Sequence, residues 1–201
     1  MLFRSVSQSR YNAKPLRVLV IDAGTPEVPY KYSVMGRDLS EKPTKDTRGH
    51  SSCVYQMVVT GQSQEVSCLN MKVDWCTWYL NVKTSAHYYY DCLSKAVDGD
   101  YDIVNLSLNG SVYDRVEESY INMLRKKSMV IIAAGNDGCE GLKKCGAYPS
   151  QYSKGSHDSI LAIAALTKTG ERAKYSNYET GLTIFFLHIQ YIFIIHKYFI
   201  M

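Results

Sequence analysis

The chain repeats one pattern: a short run of aliphatic residues followed at once by a polar turn containing glycine. Leu16 to Ile21 runs into Asp22-Ala23-Gly24-Thr25, and Ile103 to Leu108, with Asn105 and Ser107 interposed, runs into Asn109-Gly110. Met129 to Ala133 runs into Ala134-Gly135-Asn136-Asp137-Gly138, and Ser159 to Ala165 is a further run. Apolar runs of this length predict strands buried on both faces, as in parallel sheets. Glu65 to Trp75 alternates enough for another strand, and Arg172 to Tyr178 reads as a short polar one. Between these lie helical periods. Asp46 or Thr47 can cap a helix reaching about Thr60. Thr84 to Val97 carries an inward stripe of Ala86, Tyr89, Tyr90, Leu93 and Val97, and Gly99 stops it. Val112 to Lys127 would turn Val116, Tyr120, Met123 and Leu124 inward. Strands alternating with helices predict an α/β fold, a mostly parallel sheet with helices on both faces. Tyr30 to Lys45 is a polar surface loop.

The polar turns place chemistry at strand ends, where open α/β sheets put their ligands. Asp22 ends the first run, and Asn136 follows the Met129 run. His50 falls in the first turn of the helix capped at Asp46 or Thr47. Each residue alone has a plain structural reading: a capping aspartate, a turn-forming asparagine, a surface histidine.

Composition narrows the partners. The chain has 201 residues and a net charge of +4, with no basic run interleaved with aromatics, so nucleic-acid binding is not indicated. Six cysteines form no Cys-x-x-Cys pair, which argues against structural zinc. Cys139 and Cys145 flank a glycine-bearing loop and can bridge in an oxidising compartment; unpaired thiols packed as small apolar residues fit the sequence equally. Asp98, Asp100 and Asp102 fail as a calcium loop, because Ile103 stands where glycine is needed and Asn109 where glutamate is needed. Residues 1–15 lack the apolar core of a secretion signal and read as a disordered leader. Residues 16–179 form the domain, and 180–201 an apolar tail. Leu182 to Met201 is interrupted by His188, Gln190, His196 and Lys197, so a membrane-spanning reading is marginal.

Taken in order, these segments resemble the subtilisin-like serine proteases. Val20-Ile21-Asp22-Ala23-Gly24 resembles their aspartate motif, and Gly49-His50-Ser51-Ser52-Cys53-Val54 their histidine motif. Asn105-Leu106-Ser107-Leu108-Asn109-Gly110 resembles the substrate-cleft strand, and Ala133-Ala134-Gly135-Asn136-Asp137-Gly138 the oxyanion-hole motif. Tyr148-Pro149-Ser150, the Ser159 run and Tyr175-Ser176-Asn177-Tyr178 resemble the segments that follow. The resemblance implies a three-layer subtilisin-like fold and a serine endopeptidase acting on peptide or protein substrates. Asp22 would orient His50, His50 would be the general base, and Asn136 would donate to the oxyanion. Ser107, Leu108, Asn109 and Gly110 would pair with the substrate backbone. It implies no cofactor, no residue is assigned to a metal, and the family's habit is extracellular or secretory.

The sequence also departs from the family. No Gly-Thr-Ser nucleophile motif occurs, and the pattern ends after Glu179. Ser51, Tyr55 and Gln56 replace small residues of the histidine helix, which predicts altered packing around His50, and Asn109 replaces a cleft glycine. These departures imply a fold incomplete at its C-terminus and a chain inactive by itself. The alternative reading is a non-catalytic peptide-binding pseudoprotease, tethered to a membrane by the tail. Deleting residues 182–201 should improve solubility or leave it unchanged, measured as soluble yield; loss of folding would make the tail a core element.

Overall fold

The computed structural model describes residues 16–27, 36–41, 45–60, 71–77, 85–153 and 159–179. Its first three elements are β1 (Leu16–Asp22), α1 (His50–Thr60) and β2 (Met71–Thr77). Next come α2 (Ser85–Asp98), β3 (Ile103–Leu106) and α3 (Arg115–Leu124). Then follow β4 (Met129–Ala133), the single turn α4 (Leu142–Cys145), a 3₁₀ turn at Ser150–Tyr152 and β5 (Ile160–Ile163). Five parallel strands stand in the order β2-β1-β3-β4-β5. Crossover helices cover both faces, the three-layer arrangement expected of a strand-helix alternation.

Strand alternation assigns the two cores. One face carries Leu19, Ile21, Val104, Leu106, Val130, Ile132 and Ile160, all wholly buried against Leu93 and Ala96 of α2 and Ile121 and Leu124 of α3. The opposite face of β1 and β2 sends Val18, Val20 and Val73 into Val54 and Tyr55 of α1. Register aligns Ile21 with Leu106, and Leu106 with Ile132. The strand tops are therefore level across the sheet.

The described elements correct the sequence reading in several places. The second strand is described over Met71–Thr77, two residues beyond the expected Trp75, and the expected part at 65–70 lies outside the described residues. β4 is not sealed on both faces: Met129 is 45% exposed and Ile131 half-buried. The stripe of α2 is rotated toward Cys92, Leu93 and Ala96, leaving Ala86 exposed. α3 starts at Arg115, because Asp114 caps it by accepting from the backbone N–H groups of Val116 (2.7 Å) and Glu117 (3.1 Å). Glu117, Ile121 and Leu124 face inward, whereas Val116 and Met123 are 48% and 46% exposed. Residues 172–178 form turns and isolated bridges rather than a strand: Arg172 and Ala173 pair with Leu166 and Ala165 just beyond β5, and residues 175–178 bond the loop after β4.

Two disulfides add covalent restraint. Cys139 pairs with Cys145, one of the two readings the sequence left open. Cys76 of β2 pairs with Cys92 of α2, which no spacing rule suggested; the crossover brings their Cα atoms to 5.6 Å. Cys53 is a free thiol, and Cys68 lies outside the described residues.

The buried Glu117 has no cation within ion-pair reach among the described residues. Burial raises its pKa to about 7 from 4.5, the charge of Asp114 adds to this, and the Tyr89 hydroxyl, donating to Oε1 at 2.8 Å, only partly opposes it. A raised carboxyl pKa favours folding while the group is protonated. This stabilisation is complete below pH 4.5 and is lost as pH rises through 7. Stability from this source should fall by about 1–3 kcal/mol between those limits. Denaturant midpoints measured from pH 4.5 to 8 should be flatter in Glu117→Gln than in the parent chain.

Candidate active site

Parallel strands deliver their carboxyl ends to one edge, and the residues of interest meet there. Asp22 is the last residue of β1. Its Oδ1 accepts the Ala23 backbone N–H at 2.6 Å and lies 2.6 Å from His50 Nδ1. Both side chains are buried, at 6% and 3% exposure for His50 and Asp22. A carboxylate can only accept, so Nδ1 carries the proton and Nε2 is left as the basic nitrogen.

The start of α1 fixes the ring. Gly49 takes φ +71°, which glycine tolerates, and its carbonyl accepts from Cys53 N at 3.0 Å. Asp46 holds the first turn through Oδ2, which accepts from the backbone N–H and hydroxyl of Ser52 at 2.8 and 2.7 Å. Of the two caps the sequence offered, Asp46 is the one that engages. Gly24, at φ +101°, lies so close to Asp46 that a Cβ would come within 2.7 Å of its Cα. The turn carrying Asp22 and the helix carrying His50 are thus interlocked through backbone. Of the bulky departures on α1, Tyr55 is buried edge-on against Trp75 at 5.6 Å, and Gln56 is exposed. Ser51 is buried, and His50 still reaches Asp22.

Electrostatics set the ring's charge state. Burial alone would lower the pKa of His50. The Asp22 hydrogen bond, the Asp22 charge and the Asp46 charge outweigh burial and hold it above the ordinary 6.5.

Beyond β4 the chain turns through Gly135 (φ +105°) and Gly138 (φ +66°), with Asn136 between them. Asn136 is half-buried, and its carboxamide has no hydrogen-bond partner among the described residues. It borders a cleft with Asn105, Ser107, Ala133 and Ser176. The Ser107 hydroxyl accepts from Asn105 Nδ2 at 2.9 Å. Ser107, Leu108 and Asn109 continue from β3 with no strand partner among the described residues. Gly110 does have one: it exchanges both backbone bonds with Tyr148, at 2.7 and 2.9 Å. Asp22, His50, Asn136 and the 107–109 edge therefore occupy neighbouring strand ends.

Ser176 lines the cleft but is committed elsewhere. Its buried hydroxyl accepts from Ala165 N at 2.8 Å and donates to the Asn177 carbonyl at 3.1 Å. Ser156 lies outside the described residues. The described cluster of potential metal ligands is Cys76, Asp91 and Cys92, whose two sulfurs are bonded to each other. Sequence reasoning passed over Asp46 as anything beyond a cap, and read Asn177 only as part of a segment resembling the family. Asn177 serves a loop 40 positions away, and no local pattern signals that.

Comparison with known proteins identifies the family. The sequence model of the subtilase family matches residues 33–186, a span that includes His50 and Asn136 and begins after Asp22. Subtilisin DY of Bacillus licheniformis is 25% identical over 197 residues, covering 89% of this chain and 66% of the relative. A thermostable alkaline protease of Halalkalibacterium halodurans is 30% identical over 90 residues, covering 44% of this chain and 22% of the relative. Among solved structures, a cold-adapted subtilisin-like serine proteinase matches with TM-score 0.64 at 18% identity, covering 88% of this chain and 65% of that one. The prenylagaramide maturation protease matches with TM-score 0.60 at 17% identity, covering 90% and 65%. The chain spans two-thirds or less of the length of each.

Asp22→Asn should lower the pKa of His50, because it removes the charge that opposes burial. The imidazole titration followed by NMR should move down from its raised value toward or below 6.5. An unmoved titration would mean that Asp22 does not set the charge of this ring.

Proposed function

The chain belongs to the subtilase family, and from that premise we propose that it supplies the general base, its orienting acid and an oxyanion donor of a serine endopeptidase. In this reading His50 Nε2 takes the proton of an attacking serine hydroxyl as its oxygen bonds to the scissile carbonyl carbon. The proton then passes to the leaving amine as the peptide bond breaks, leaving an acyl-enzyme that water hydrolyses. Asp22 holds Nδ1 and stabilises the imidazolium formed on the way. Asn136 Nδ2 donates to the oxygen that becomes negative in the tetrahedral intermediate. Ser107, Leu108 and Asn109 pair with the substrate backbone by strand addition. Gly110, already bonded to Tyr148, closes that edge rather than reading the peptide.

The observation that carries the proposal is the buried 2.6 Å Asp22–His50 bond at a strand end two strands from the loop of Asn136. Two strand spacings are roughly 10 Å. With β3 and Ser107 between them, the base and the donor can flank one peptide bond. A surface ion pair would account for neither the burial of both groups nor the uncommitted amide beside the cleft.

The nucleophile of the family's Gly-Thr-Ser motif is absent from these 201 residues. Loss of a nucleophile costs on the order of 10⁶ in turnover, so the 201-residue chain should not react with a fluorophosphonate, which labels activated serines. The same chain joined to a Gly-Thr-Ser segment should react, and His50→Ala should abolish labelling. Labelling of the 201-residue chain at Ser176, lost on His50→Ala, would overturn this assignment. In the joined form the acid limb of the labelling rate should lie above pH 6.5, since the base must be neutral and its pKa is raised.

A further inference from the structure

We propose that Asn177 is a positioning residue that fixes the backbone of Asn136 and so the direction in which its side chain leaves the chain. This rests on Asn136 being the oxyanion donor. Two asparagines meet at the loop after β4, Asn136 within it and Asn177 from the segment after β5, and they have opposite hydrogen-bond states. Asn136 commits its amide to nothing among the described residues, as a group kept for a ligand must. Asn177 is fully buried, and its side-chain bonds all go to the loop. Its Oδ1 accepts from the backbone N–H groups of Asp137 at 2.9 Å and Cys139 at 3.1 Å, and its Nδ2 donates to Asp137 Oδ2 at 3.2 Å. Its own backbone N–H donates to the Gly135 carbonyl at 3.0 Å.

These bonds grip both peptide planes next to Asn136. The plane before it carries the Gly135 carbonyl, and the plane after it carries the Asp137 N–H. The backbone angles of Asn136 are the rotations between those two planes. One residue binding both planes fixes both angles, and with them the direction of the Asn136 Cβ bond. Gly135 makes the grip close, since a Cβ there would lie 2.3 Å from Asn177 Nδ2. Asn177 is itself anchored. Ser176 Oγ donates to its carbonyl at 3.1 Å, and Tyr178 N donates to the Cys139 carbonyl at 3.0 Å. An oxyanion donor stabilises charge only when aimed beforehand, so the clamp is what would make the Asn136 amide useful.

The test reads the Asn136 side-chain amide directly, in the 201-residue chain labelled with ¹⁵N-asparagine, its signal assigned by its disappearance in Asn136→Gln. Asn177→Asp keeps an acceptor for the two N–H groups but sets a second carboxylate against that of Asp137. The Asn136 amide signal should shift or broaden while far-UV circular dichroism is unchanged. Combining Asn177→Asp with Asp137→Asn reverses the donor and acceptor of that bond and should return the Asn136 signal to its parent position. In Asn177→Ala, backbone amide exchange at Asp137 and Cys139 should accelerate about fivefold or more, the worth of roughly one hydrogen bond. A folded Asn177→Asp with the Asn136 signal unmoved would overturn the proposal, as would a shift that the double variant does not reverse. If both variants unfold, Asn177 is a fold residue and the proposal fails. None of these signals requires turnover, so failure of the clamp is distinguishable from failure of the peptidase reading, which fluorophosphonate labelling decides.

Discussion

All five strands run parallel, and this one constraint places every strand's carboxyl end on the same edge. There the backbone runs out of ladder partners and the turns must satisfy one another. They do so in pairs: Ala134 N bonds the Ile163 carbonyl, Gly138 N bonds that of Tyr175, and Gly141 N bonds that of Tyr178. The loop of Asn136 is held by residues 175–178, and the turn of Asp22 is held by the start of α1. The buried polar side chains there, Asp22, His50, Ser176 and Asn177, are tolerated because each is hydrogen-bonded to a neighbouring turn or side chain. The same edge therefore serves as the boundary of the fold and as the place where chemistry is affordable.

Four buried acids show how local partners decide a carboxylate's behaviour. Asp74 accepts from the Arg37 backbone N–H, the Tyr101 hydroxyl and the Arg37 guanidinium at 2.7, 2.8 and 3.2 Å. Burial would raise its pKa, but these donors together hold it below its ordinary value. Glu117 has hydroxyl company only, and burial wins. Asp22 faces a histidine rather than a permanent cation, so the charge that is tuned belongs to the ring of His50. Asp46 holds a helix start and adds its field to the same ring. Asp74 ties the segment at residues 36–40 to β2, where Leu39 N donates to the Trp75 carbonyl at 2.8 Å. Its role is architectural, whereas Asp22 contacts His50 and, in the proposed reading, orients it.

The sheet, its parallel sense and the strand-end positions of Asp22 and Asn136 were legible in the sequence, because aliphatic runs broken by glycine turns admit few other arrangements. The inward faces of α2 and α3 were less legible. Tyrosine is amphipathic, so its side chains mark an inward face poorly. In α3 packing against α2 and the sheet turns Glu117, Ile121 and Leu124 inward and leaves Val116 and Met123 exposed. Residues 172–178 read as a strand by composition, yet residues 175–178 bond to a loop whose position no local pattern encodes.

The sequence by itself determined the main strands and helices, their order and the residue types at the strand ends, all of which follow from local sterics and from the periods of helices and strands. It also contained the motifs that mark the family. Only the tertiary structure decided which polar groups meet. The 2.6 Å bond between Asp22 and His50 joins positions 28 apart. The Cys76–Cys92 bridge depends on a helical crossover, and the grip of Asn177 on the Asn136 loop depends on two turns packed at one edge. Such pairings cost chain entropy that grows with separation and is repaid only when the whole core forms. For that reason they belong to the fold rather than to any segment of it.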